Sequence, residues 1–78
     1  MSINLEYYKV FNTVAKYKKI SLAAEKLFVS QPAVTQTIQK LEEQLGNTLF
    51  VRTKAGMELT DAGKMLYDFT KENIETLN

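Results

Sequence analysis

The stretch Ser30–Gly46, "SQPAVTQTIQKLEEQLG", carries residue types suited to hydrogen-bond recognition rather than to bond breaking. Gln31, Thr35, Gln36 and Gln39 offer neutral donors and acceptors, Pro32 stands near the start, and charge arrives only with Lys40, Glu42 and Glu43. Neutral groups of this kind match the edges of DNA bases. Gln can bind adenine bidentately, Thr can donate or accept, and apolar atoms can meet the thymine methyl. Elsewhere the chain lacks the usual catalytic equipment. It has no His and no Cys, so the commonest general base, the commonest metal ligand and any thiolate chemistry are missing. No enzyme and no cofactor are expected.

The elements that position these residues must fit within 78 residues, a length that suits one small domain with a marginal core. No basic segment followed by an apolar run opens the chain, and no apolar stretch approaches the roughly 20 residues of a membrane span. With no disulfide framework either, a cytoplasmic protein without a membrane partner is expected. The net charge of +1 hides an asymmetry. Residues 1–54 hold eight cations against four anions, and residues 55–78 hold two against five. This pattern fits a polyanion-facing part beside an acidic part, or ordinary scatter of surface charge.

Leu5, Tyr8, Phe11 and Val14 or Ala15 recur at helical spacing with Glu6, Lys9, Asn12 and Lys16 between them, which predicts a helix over 5–17. Lys16, Lys18 and Lys19 close it as cations near the negative end of its dipole. Ser21 is read as the N-cap of a short second helix, "LAAEKL". After Phe28-Val29, Ser30 caps a third helix over about 31–45, and Pro32 sits in its first turn, where a missing N–H costs nothing. Val34, Ile38, Leu41 and Leu45 form its buried stripe, and Gly46 ends it. "LFVR" and "MEL" predict short strands joined by "TKAG". Thr60 then caps a last helix with Asp61 in its first turn. On that helix Ala62, Met65 and Phe69 lie on one side, and Leu66, Ile74 and Leu77 on an adjoining one.

A short helix and a longer capped one joined by a tight turn is the helix-turn-helix pattern, and the hairpin that follows predicts the winged version. With about 100° per residue and Val34 taken as the core direction, Ile38, Leu41 and Leu45 fall within about 40° of it. Pro32, Gln36 and Gln39 face the other way, flanked by Thr35 and Lys40. This face is either a solvated helix surface or the base-reading face of a major-groove helix. Ser30 and the first-turn N–H groups could hold a phosphate. Arg52 and Lys54 flank the hairpin turn, where they either protect a strand edge or meet phosphates beside the duplex.

The pieces "AAEKL", "SQPAVTQTI", "LEEQLGNTLFVR" and "LTDAG" together closely resemble the DNA-binding domain of LysR-type transcriptional regulators, from about Leu5 to the chain end. The resemblance implies a mainly α fold: a winged helix-turn-helix with a three-helix core and a short β-hairpin wing over 1–60, then a linker and dimerisation helix over 61–78. It implies double-stranded DNA as partner, addressed as an interrupted dyad by a homodimer whose last helices pair through Leu66, Phe69, Ile74 and Leu77. Higher oligomers would arise in a longer protein, where a small-molecule effector would bind a C-terminal domain that this stretch lacks. By position, Gln31, Pro32, Thr35 and Gln36 are the expected base readers, and Gln39 joins them from the polar face of the helix. Ser30 and Arg52 are by position the expected phosphate and wing contacts, and Ser21, Lys40 and Lys54 are expected to add to them. One departure stands out: Thr35-Gln36 occupies the place where many members have Ser-Arg, so a neutral amide replaces a cation. An alternative function is a protein-interaction module whose working surface is the last helix. Duplex binding that weakens with salt separates the two.

Overall fold

In a computed structural model of the chain, residues 4–75 are described, with the side chains of residues 73–75 excepted. The elements run α1 (Leu5–Tyr17), α2 (Ile20–Leu27), α3 (Gln31–Leu45), β1 (Phe50–Thr53), β2 (Gly56–Leu59) and α4 (Asp61–Glu75). This is the predicted winged helix-turn-helix followed by a further helix.

Caps explain most of the boundaries. Asn4 accepts a hydrogen bond from the Glu6 N–H at 3.0 Å, and Ser30 accepts one from Ala33 N–H at 3.2 Å. Thr60 accepts from Gly63 N–H at 3.0 Å, as its place before α4 predicts. Each satisfies an amide that the first helical turn leaves orphaned. Gly46 ends α3 in the left-handed region, and its N–H returns to the Glu42 carbonyl at 2.8 Å. Phe28 ends α2 in the same region at φ 58°, and Val29 N–H closes back on the Ala24 carbonyl. Ser21 departs from expectation. Helix α2 begins two residues earlier, Lys19 holds the N-cap position without a side-chain cap, and Ser21 lies inside the first turn.

The core joins Val10, Phe11 and Val14 of α1 to Ala23 and Ala24 of α2, Val34, Ile38 and Leu41 of α3, and Leu49 and Phe50 at the wing base. The alanines let α2 lie close to its neighbours. The Phe11 ring lies 5.3 Å from that of Phe50 and 6.4 Å from that of Tyr67 on α4, distances typical of favourable aromatic pairs. Helix α4 therefore contributes to the same core. Leu66 also packs against that core rather than standing clear of it, while Met65 and Phe69 are 75% and 65% exposed. Ile74's side chain and Leu77 lie outside the described residues. Asn12, which lies between the apolar positions of the α1 pattern, is 7% exposed, and its carboxamide oxygen accepts the Thr70 hydroxyl at 2.7 Å, linking α1 to α4.

The hairpin pairs Phe50 with Leu59, Val51 with Glu58, Arg52 with Met57 and Thr53 with Gly56. The turn is therefore Lys54-Ala55 alone, shorter than "TKAG". A two-stranded hairpin is marginal in water, and three attachments hold this one. The Glu42 carboxylate accepts Leu49 N–H at 2.7 Å and Phe50 N–H at 3.4 Å. The Lys18 carbonyl accepts Met57 N–H at 2.7 Å. The Leu49 carbonyl accepts Thr60 N–H at 3.0 Å.

Candidate nucleic-acid interface

Those attachments set the wing beside the N-terminal half of α3 and the α1–α2 junction. Between them lies an open groove of about 880 Å³. Gln31, Pro32, Thr35 and Gln36 line its α3 side, and Arg52 and Lys54 its wing side. All six are exposed. Ser21 joins them from the first turn of α2. Sequence spacing alone put these residues on three separate elements, and the fold brings them to one surface.

Three predicted site residues sit elsewhere. Ser30 is exposed at the helix start with its hydroxyl oxygen engaged by Ala33 N–H. Gln39 lines smaller neighbouring depressions, one shared with Thr35 and Arg52 and one with Glu42 and Glu43. Lys40 is exposed on α3 and lines none of these surfaces. A row of residues on one helix face thus divides between the groove and its flank as α3 runs past the wing.

The groove is uniform in charge. Lys18, Lys19, Arg52 and Lys54 line it, and no Asp or Glu does. None of the four forms an ion pair among the described residues; the ion pair there joins Lys71 to Asp68 at 3.9 Å. A groove of one sign focuses its field on an oppositely charged ligand. The neutral hydrogen-bonding groups of α3 and the cations opposite suit a ligand with polar base edges and a charged backbone.

Sequence reading missed two residues that build this surface. Glu42 entered the sequence reading only as one of the charges late in α3, yet it holds the first amides of the wing. Gly56 looked like a turn residue, yet it is where the wing touches α1. A Cβ there would stand 2.2 Å from the Lys18 carbonyl oxygen. No local pattern signals the Glu42 contact, because its partners lie seven and eight residues away, beyond the end of α3 and at the start of β1.

Helix-turn-helix, wing and basic groove together define a winged helix-turn-helix DNA-binding domain. Residues 5–64 match the bacterial regulatory helix-turn-helix protein, lysR family. The chain belongs to that family. It is 44% identical over 68 residues to the HTH-type transcriptional regulator DsdC of Escherichia coli strain K12, covering 87% of this chain. Among solved structures, a CbnR_DBD–DNA complex superposes with TM-score 0.87 at 35% identity over 96% of this chain and 86% of that one. A complex of BenM_DBD with the catB site 1 DNA superposes with TM-score 0.90 at 28% identity, over 96% of this chain and 83% of that one. The chain spans 22% of the length of DsdC.

Proposed function

We propose that this domain binds DNA sequence-specifically by placing the N-terminal half of α3 in the major groove, with the wing against the sugar–phosphate backbone or the adjacent minor groove. The observation that supports this reading is the shared groove, which sets Gln31, Pro32, Thr35 and Gln36 opposite Arg52 and Lys54. Gln36 and Thr35 read base edges, Ser21 and Ser30 meet phosphates, and Gln39 and Lys40 extend the contact along the flank. The domain acts as part of a transcription regulator in the cytoplasm, by binding rather than by catalysis. Among the described residues no helix is long and apolar enough to cross a membrane, and no group of His, Cys, Asp and Glu is placed to hold a metal ion.

Two substitutions test the interface together. Arg52→Ala weakens binding to all duplexes and makes the slope of log K against log salt shallower by about 0.9, the loss of one phosphate contact. Gln36→Ala relaxes preference at one base position by about 1–3 kcal/mol if its contact is bidentate. Binding titrations on a panel of operator variants read both. If every variant weakens equally in Gln36→Ala, Gln36 reads no base. If the unmodified chain binds no duplex at low salt, the DNA reading itself is wrong.

The same reading includes a homodimer through α4 and an interrupted dyad in the operator. Met65 and Phe69 stand exposed beside an apolar depression formed with Leu45, Leu49, Ala62 and Leu66, a surface suited to a second copy. Met65→Asp is expected to raise the dimer dissociation constant at least tenfold, about 1.4 kcal/mol, in sedimentation equilibrium. Equal dissociation constants would place the seam elsewhere.

A further inference from the structure

The α1–α2 junction carries a strained lysine. Lys18 has φ 63° and ψ 7°, in the left-handed region, where a non-glycine side chain crowds its own backbone. The geometry there is over-determined. Lys18 N–H returns to the Val14 carbonyl at 2.7 Å, and its own carbonyl accepts Met57 N–H at 2.7 Å. Glycine would satisfy both bonds with less strain, since neither bond uses the side chain. Strain held in place by its surroundings points to a functional role for the residue.

The other cations of this end of the molecule show what distinguishes Lys18 and its neighbour. Lys16 and Lys26 both lie over the Tyr17 ring, at 5.6 Å and 5.5 Å from its centroid. Lys18 and Lys19 have no such partner among the described residues and instead line the groove between α3 and the wing. The hydrogen bond from Met57 to Lys18 ties the backbone of this junction to the wing, so the two lysines share the groove with Arg52 and Lys54.

We infer that Lys18 and Lys19 form, with Arg52 and Lys54, a phosphate clamp for the DNA strand that runs between the recognition helix and the wing. This rests on the DNA-binding reading above and adds to it a second, sequence-independent contact. A helix in the major groove and a wing beside it leave one sugar–phosphate strand between them, and the two lysines line that passage. The ligand is the backbone phosphate, because an ammonium on a flexible stem meets an oxyanion as a point charge rather than through the planar geometry that reads a base. The clamp supplies net attraction in a protein whose α3 lines the groove with the neutral Gln36.

Binding of the 78-residue chain to a short random-sequence duplex, titrated with salt, tests the clamp. The variants are Lys18→Gly, Lys19→Gln and Arg52→Ala, with Lys9→Gln on the exposed face of α1 as the comparison. Lys18→Gly and Lys19→Gln each make the slope of log K against log salt shallower by about 0.9. Lys9→Gln changes it by less than half as much. The preference for the operator over random sequence stays the same in both lysine variants. Lys18→Gly keeps the left-handed turn, so its Tm is unchanged or higher while its affinity falls, a combination that a merely structural lysine would not give. If Arg52→Ala lowers the slope and neither lysine variant does, the clamp is refuted and DNA binding through the wing stands. If the unmodified chain shows no salt-dependent duplex binding, both the clamp and the DNA reading fall.

Discussion

Gly56→Ala is expected to destabilise the domain by about 2–5 kcal/mol and to weaken DNA binding in whatever fraction remains folded. Two effects combine. Gly56 has φ 126°, a conformation that costs an L-residue roughly 1–2 kcal/mol. Its Cβ would also stand 2.2 Å from the Lys18 carbonyl oxygen, and forcing atoms into a packed contact costs about 1–3 kcal/mol. The obstacle is backbone, so no side chain can turn aside. Relief requires the wing to lift from the α1–α2 junction, which breaks the Met57–Lys18 hydrogen bond and opens the groove. Gly46 provides the comparison: it has φ 71° but nothing within 4 Å of a Cβ. Gly46→Ala should therefore cost only the conformational part, about 1 kcal/mol. Urea unfolding of the two variants separates close approach from backbone strain. Equal losses would show that the contact with Lys18 is soft.

Phe11→Ala should cost about 3–5 kcal/mol, the range for emptying a buried aromatic site. Phe11 is fully buried and bridges Phe50 at the wing base to Tyr67 on α4, so its loss leaves a cavity where three elements meet. For a domain of this size that is a large share of a total stability of about 5–15 kcal/mol. Phe28→Ala should change stability by less than about 0.5 kcal/mol, the range for surface positions, since Phe28 is 94% exposed. Denaturant midpoints with unchanged m-values are the measurement. A loss below about 1 kcal/mol for Phe11→Ala would mean that the core collapses around the gap.

These two phenylalanines show how far the sequence could be read. Phe11 lies within a helical stripe, and its burial followed from spacing. Phe28 ends a helix, and its type gives no hint of its exposure. The helices were legible because their causes are local. Ser30, Pro32 and Gly46 set the ends of α3 through bonds reaching at most four residues, and the stripe from Val34 to Leu45 repeats with the helical period. The polar face of α3 was visible for the same reason. Contacts across the chain were not. Asn12 sits at a polar position of the α1 pattern, but Thr70, 58 residues on, gives its oxygen a buried partner. Ser21 has good capping chemistry, but the N-cap position falls two residues earlier, at Lys19, and leaves Ser21 inside the helix. Leu66 has the spacing of a seam residue, and the structure also packs it, partly buried, against the core.

From the sequence alone came the helix-turn-helix, the polar face of α3, the presence of a hairpin and the lack of His and Cys, since each depends on residue type or on spacing within one turn. Tertiary structure alone decided which charges share a surface. Lys18, Lys19, Arg52 and Lys54 meet in one groove because a carboxylate on α3, a carbonyl at the end of α1 and a missing Cβ at Gly56 fasten the wing in place. Such placement depends on hydrogen bonds and steric fit between segments distant in the chain, and neither leaves a periodic trace in the sequence.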